Sequence, residues 1–211
     1  MGAFREGFLQ AIHLILARDP ALMEIVRLSL GVSGLALLIS AILGLPLGIL
    51  LGLKDFWGKR LVVALVYTGM GLPPVVVGLT IYILLSRQGP LGSLGWLFTP
   101  KAMIVTQTIL SLPLIIGFTM TAIAAVPAAL PLQLRSLGAT QRQIIFTLLY
   151  EARAGVLAAL IAGFGAIISE VGSVMIVGGN IEHKTRVLTS AIVLETARGI
   201  LPWLLPWASF C

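Results

Sequence analysis

The stretch Leu61–Leu85, LVVALVYTGMGLPPVVVGLTIYILL, carries no charged side chain. As helix it is long enough to cross a bilayer core, which takes about 20 apolar residues. Two more blocks share its character, Leu28–Leu53 before it and Ala102–Val126 after it, and both are uncharged. The chain of 211 residues is 58% hydrophobic and 10% charged, and its mean hydropathy is +1.07. Soluble domains run at about a quarter charged. These features exclude a soluble globular class and predict an all-α, polytopic helical protein whose solvent is the lipid bilayer.

The 23 glycines and 11 prolines agree, since both residues are commoner in membrane helices than in soluble ones. Pro46, Pro73, Pro74 and Pro113 fall inside the apolar blocks. Each marks either a packing irregularity or a helix that lines something, and the carbonyls they free need partners. The net charge of +6 is scattered over segment ends. No basic face with interleaved aromatic residues forms, which excludes nucleic acid as a partner. Cys211 is the single cysteine, so no internal disulfide can form. At the amino end, Arg5, Glu6, Gln10 and His13 break the apolar character expected of a secretory signal. Phe4, Phe8, Ala11, Ile12, Ile15 and Leu16 repeat at helical spacing and predict an interfacial amphipathic helix, with His13 on its wet side.

Four spans are expected, at about Leu28–Leu53, Leu61–Leu85, Ala102–Val126 and Ala154–Val177. Lys54–Arg60 joins the first two with three basic residues and Trp57, and Ser86–Lys101 is a turn region with Trp96 as an interface anchor. Gly178–Arg186 reads as a loop. Leu188–Leu194 is apolar again, but Glu195 and Arg198 interrupt it. Residues 200–211 would extend about 18 Å as helix, too short to cross, so an incomplete last span is expected. No internal repeat is evident, and residues 1–211 read as a single membrane domain.

Between the third and fourth spans lies a polar island, residues 127–153. It holds no His, Cys or Asp and one Glu, Glu151. Neither a metal cluster nor a nucleophile–base pair can be built from that set, and no P-loop pattern occurs anywhere in the chain. No catalytic residue, metal or cofactor is expected. Ser33, Ser40, Ser111 and Ser169 are single hydroxyls within spans, expected to bond a carbonyl one turn back. The island instead has the pattern of a docking knob. Leu132–Leu137 and Gln141–Leu149 have helical character, Gly138 allows a sharp turn between them, and Thr140 is placed to cap the second. Ile144, Ile145, Leu148 and Leu149 form its apolar flank. A plain amphipathic connector is the alternative.

Leu137-Gly-Ala-Thr-Gln-Arg-Gln-Ile-Ile-Phe146, followed by Gly155 and Ala162-Gly-Phe164, resembles the cytoplasmic "EAA" loop of ABC-importer permease subunits. Leu132-Gln-Leu134 replaces the Glu-Ala-Ala of many members, and Tyr150-Glu151 replaces their Leu-Pro. Ser169–Ile181 and Thr185–Thr196 are similar to permeases for oxyanions, most of all the tungstate branch, with molybdate and sulfate permeases more distant. The resemblance covers about residues 4–199.

It implies a type I permease fold in the plasma membrane, working as a homodimer by alternating access and importing an oxyanion, with tungstate the nearest match. A cytoplasmic ATP-binding subunit would grip the coupling loop, through Arg135, Leu137, Gly138, Ala139, Thr140, Gln141, Arg142 and Phe146. An oxyanion-binding protein would dock outside, on the side of the amino terminus and of Gly178–Arg186. ATP hydrolysis would belong to the partner. The alternative function is a non-enzymatic assembly or regulatory membrane protein with a docking loop. A membrane-embedded enzyme is disfavoured by the missing catalytic pairs.

Glu170 is the acid inside an expected span, and an intramembrane carboxylate is by default a functional candidate. Two readings stand. It lies near the pathway or gate and pairs with a cation such as Arg186, or it bonds to helix ends at the dimer interface. A direct ligand role is disfavoured because a carboxylate repels a dianion. Gly172, Gly178, Gly179, Asn180 and Arg186 complete this pathway, gate or structural group. Gly163, Gly165, Ala166 and Gly172 are expected to let helices of two subunits pack closely. Asn180 and Thr185 are expected to form turns, His183 to be idle rather than to touch the binding protein, and Arg186 to serve as a docking or structural cation.

Overall fold

Asp19 opens the first helix. Its carboxylate accepts the Leu22 N–H at 3.0 Å, and Pro20 follows at the first helical position, where a missing N–H costs nothing. In this computed structural model, residues 19–127 and 129–197 are described. The expected interfacial helix before Asp19 and the segment beyond Ala197 lie outside the described residues. Helix α1 is Pro20–Leu53, 34 residues, or about 51 Å, so it begins well before the expected Leu28 and outruns a bilayer core of about 30 Å.

The second expected span is a bent pair. Helices α2 (Lys59–Met70) and α3 (Pro74–Leu85) meet at 98°. Pro73 and Pro74 bring no N–H to the ladder, and the residue before a proline is pushed out of helical geometry. The Gly71 N–H turns back to the carbonyls of Tyr67 and Thr68 at 3.3 and 3.1 Å. Pro46 and Pro113, by contrast, sit inside unbroken helices, α1 and α4 (Pro100–Ala124).

Beyond α4 come α5 (Ala129–Ser136), α6 (Gln141–Glu151), α7 (Arg153–Ile168), α8 (Gly172–Gly178) and α9 (Leu188–Ala197). The fourth expected span is therefore broken too, between Ile168 and Gly172. Helices α6 and α7 meet at 68°. Singly, α1 and α4 are long and apolar enough to cross a membrane. With α2–α3 and α6–α7 each counted as one bent span, the described residues hold up to four.

Helix α4 is the hub, packing against α1, α2, α3, α7 and α8. Its contact with α1 follows a seam of small side chains: Ser29, Ser33, Ala36, Ser40, Gly44 and Gly48 are buried along one face. A Cβ built on Gly48 would stand 2.7 Å from Thr119 Cβ, and one on Gly52 2.8 Å from Ile123 Cγ2. Only the absence of side chains lets the two backbones approach this closely, the usual route to tight contact between membrane helices. Within the seam Ser40 Oγ lies 2.6 Å from Ser111 Oγ and donates to the Thr108 carbonyl at 3.2 Å. Ser40 and Ser111 thus bond across helices, and Ser111 also reaches back one turn to Gln107, as Ser169 does to Gly165.

Two buried apolar clusters sit towards opposite ends of α4. One holds Met103 with Val77 and Ile81 of α3 and Val174 and Val177 of α8. The other holds Met120 with Leu51 and Val66. The outward face of α1, including Leu35, Leu38 and Ile42, is apolar and exposed, as a surface solvated by lipid tails must be.

Candidate functional site

The polar island folds as two short helices hinged at a glycine. Helix α5 ends where the Leu137 N–H reaches Gln133 O at 3.1 Å and the Ala139 N–H reaches Leu134 O at 3.0 Å. Gly138 takes φ +80°, a left-handed value that closes helices cheaply only when no Cβ is present. Thr140 then caps α6. Its hydroxyl accepts the Gln143 N–H at 3.4 Å, and Gln143 Oε1 accepts the Thr140 N–H at 2.8 Å, a reciprocal capping box.

Amphipathicity orients α6. Ile144 and Leu148 are buried, while Phe146 and Tyr150 are exposed. Leu137 is 82% and Phe146 73% exposed, so the hinge and one face of α6 carry an uncovered apolar row. Arg135, Gln141 and Arg142 are exposed beside it, Gly138 and Thr140 are exposed at the turn, and Ala139 is half-buried. Arg153 closes the knob, donating to the Tyr150 carbonyl at 2.9 Å with its guanidinium 4.2 Å from that ring's centre. The arrangement offers an apolar and cationic surface to grip. Among the described residues no group of three His, Cys, Asp or Glu side chains comes together.

The second group gathers near the other end of α4. Glu170 lies in the break between α7 and α8 rather than within a helix. Its Oε1 accepts the Ser173 N–H at 2.9 Å, where the first-turn amides of α8 favour an anion. Two neighbours hold the same break. Thr189 Oγ1 donates to the Glu170 carbonyl at 2.9 Å, and Gln107 Nε2 donates to Ile167 O at 3.1 Å. Gln107 lies about 10 Å along α4 from its start, which sets the depth of the break.

The suggested pairing of Glu170 with Arg186 does not occur. Arg186 faces Glu182 instead, at 3.4 Å, because the two are four residues apart in the loop after α8. Gly172 packs against α3, a Cβ there standing 2.8 Å from Val75 Cγ2, and Gly178 against Met103. Gly163 likewise faces Ile115 of α4, while Gly165 has nothing within 4 Å; the close packing of Gly163, Gly172 and Gly178 lies within this chain.

Gly179 and Asn180 both have positive φ, +73° and +50°, and reverse the chain after α8. The buried Thr185 hydroxyl fastens the loop, accepting the Ile181 N–H at 2.9 Å and donating to the Gly178 carbonyl at 2.6 Å. His183, expected to be idle, has a partner: its Nδ1 lies 2.8 Å from Glu24 Oε2 in the first turns of α1. That carboxylate, by hydrogen bond and then by charge, raises the His183 pKa above its ordinary 6.5.

The structure therefore brings Arg135, Leu137, Gly138, Ala139, Thr140, Gln141, Arg142 and Phe146 to one end and Glu170, Gly172, Gly178, Gly179, Asn180 and Arg186 to the other. It does not join the two groups. Gln107 was missed from sequence, although an amide alone in an apolar block must find a partner. The α1 seam was missed as well, and its signal was a small residue at every fourth position from Ser40 to Gly52.

Residues 44–203 match the family described as "Binding-protein-dependent transport system inner membrane component". The chain is 46% identical, over 84% of its length and 79% of the relative's, to a protein of Haloferax volcanii named "Probable anion ABC transporter permease protein". It is 40% identical to a tungstate uptake system permease protein of Peptoclostridium acidaminophilum, covering 93% of this chain and 86% of that one. A protein of the same name in Campylobacter jejuni is 37% identical, over 92% and 81%. Molybdenum transport permeases share less, such as 28% for that of Haemophilus influenzae.

Proposed function

The chain belongs to the family of binding-protein-dependent transport system inner membrane components, and from that premise we propose that it is the permease subunit of an ATP-driven tungstate importer. Tungstate rests on the higher identity to the two tungstate uptake permeases than to the molybdenum ones. The coupling role rests on one observation: a capped two-helix knob hinged at Gly138, with Leu137, Phe146 and Tyr150 uncovered. Uncovered apolar and aromatic side chains at the tip of a polar segment suit a groove in a partner protein.

The partners follow. A cytoplasmic ATP-binding subunit grips the knob, an oxyanion-binding protein delivers substrate at the opposite face, and a second copy of the chain completes the channel. The charge distribution supports placing the knob inside. Lys54 lines the same groove as Arg135, so the basic 54–60 loop and the knob share one end, where cations outnumber acids. The loop 178–186 and the start of α1 then face outside. Closure of the ATPase pair pulls α6, and α7, which follows it directly, carries the displacement to the break at Glu170. The spans reopen outward in response. Nothing in the pathway needs to bind tungstate tightly, since selectivity resides in the separate binding protein.

Co-purification with an ATP-binding subunit tests the coupling role and separates it from that of a regulatory or assembly protein. Uptake of labelled tungstate in competition with molybdate and sulfate tests the substrate. Competition by molybdate at equal potency would sink the tungstate assignment and leave the permease role standing.

A further inference from the structure

A groove of about 440 Å³ lies between the end of α1 and the knob, within the size range of small-molecule sites. Leu50 and Leu53 of α1 and Ile145 and Leu148 of α6 supply its apolar walls, and Lys54 and Arg135 are its charged residues. No acid lines it. Asp55, next to Lys54, turns away and pairs with Lys59 at 2.8 Å, and among the described residues neither Lys54 nor Arg135 has an ion-pair partner. Leu50 is 41% exposed, so the groove opens on the apolar side of α1 that faces lipid. At the same end Trp57 is fully exposed in a loop rich in lysine and arginine, the composition of a segment resting at a headgroup layer.

We propose that this groove holds an anionic phospholipid, one acyl chain along Leu50, Leu53 and Ile145 and the phosphate between Lys54 and Arg135. A free inorganic anion would use the two cations and leave the apolar wall empty. A zwitterionic lipid would use the wall and gain less from two unpaired positive charges. Basic pockets between membrane helices, at the depth of the headgroups, are the usual sites for acidic lipids. The occupant ties the position of the knob to the bilayer, because it touches both α1 and α6. The inference needs only that α1 crosses a membrane, so it stands or falls separately from the coupling role.

The test uses the full chain, purified with and without an ATP-binding partner and equilibrated with phosphatidylcholine vesicles containing phosphatidylglycerol. Lipids retained on the complex are counted by native mass spectrometry. Phosphatidylglycerol is retained in preference to phosphatidylcholine. Lys54→Gln lowers that retention about fivefold, Lys54→Arg restores it, and Leu50→Trp, which fills the groove while leaving both cations, removes it. Equal retention of the two lipids overturns the proposal, as does retention that neither Lys54→Gln nor Leu50→Trp changes. Displacement by inorganic phosphate overturns it in favour of a free-anion site. Retention seen only after the ATP-binding partner is stripped away overturns it in favour of a protein occupant.

Discussion

Glu170 Oε1 accepts the backbone N–H of Ser173 at 2.9 Å, so the acid in the fourth apolar block serves first to satisfy a first-turn amide of α8. Losing one such hydrogen bond costs about 1 kcal/mol. Glu170→Ala is expected to lower the stability of the purified protein by about that amount, read as a fall in melting temperature. Glu170→Gln keeps an acceptor oxygen and is expected to stay near wild type. Equal loss of stability in both would mean that the charge, rather than the hydrogen bond, holds the break.

Gly138 at φ +80° has nothing within 4 Å of where a Cβ would stand, so a substitution there tests backbone strain without a clash. The left-handed region costs an ordinary residue about 1–2 kcal/mol, and a β-branched one suffers most. Gly138→Val is expected to reduce tungstate uptake and the ATPase activity coupled to it, and Gly138→Asn to be tolerated. Unchanged uptake and coupled ATPase activity in Gly138→Val would remove the knob from the coupling mechanism.

The α1 seam makes a paired prediction. Gly48→Ala puts a methyl 2.7 Å from Thr119 Cβ and 2.9 Å from the Ile116 carbonyl, whereas Gly31→Ala meets nothing within 4 Å. Overpacking costs about 1–3 kcal/mol. Gly48→Ala is expected to lower the melting temperature in detergent, and Gly31→Ala, which gains helix propensity, to leave it equal or raised.

His183 and Glu24 join the loop after α8 to the start of α1 at 2.8 Å. The carboxylate raises the histidine's pKa above 6.5, so the ion pair's contribution is fully present below pH 6.5 and fades as pH rises through the raised value. Glu24→Gln is expected to return the His183 titration, followed by NMR of the imidazole, towards 6.5. An unshifted titration in that variant would show that another group sets the pKa.

The knob was legible because everything that shapes it is local. Gly138, the Thr140–Gln143 box and the spacing of Ile144 and Leu148 act over a few residues, and their geometry does not wait on the rest of the fold. The apolar blocks were legible for a similar reason, since hydropathy summed over about 20 residues decides whether a segment enters lipid. Where those blocks bend was not. Four prolines stood in them, yet α1 and α4 run unbroken through Pro46 and Pro113 while the chain turns by 98° before Pro74. A proline removes one donor anywhere. Whether a helix survives that loss depends on neighbours that the local sequence does not name.

What this sequence determined alone was a helical membrane chain with a polar knob and a family resemblance carried by that knob and by residues 169–196. Tertiary structure decided the rest. It set Ser40 against Ser111, placed Gln107 at the end of α7, and brought the Thr189 hydroxyl to the Glu170 carbonyl. Each of these partnerships joins a polar group within an apolar bundle to whatever donor or acceptor the packing around α4 brings near. In a medium that offers no water, that choice is made by proximity in space and not by order along the chain.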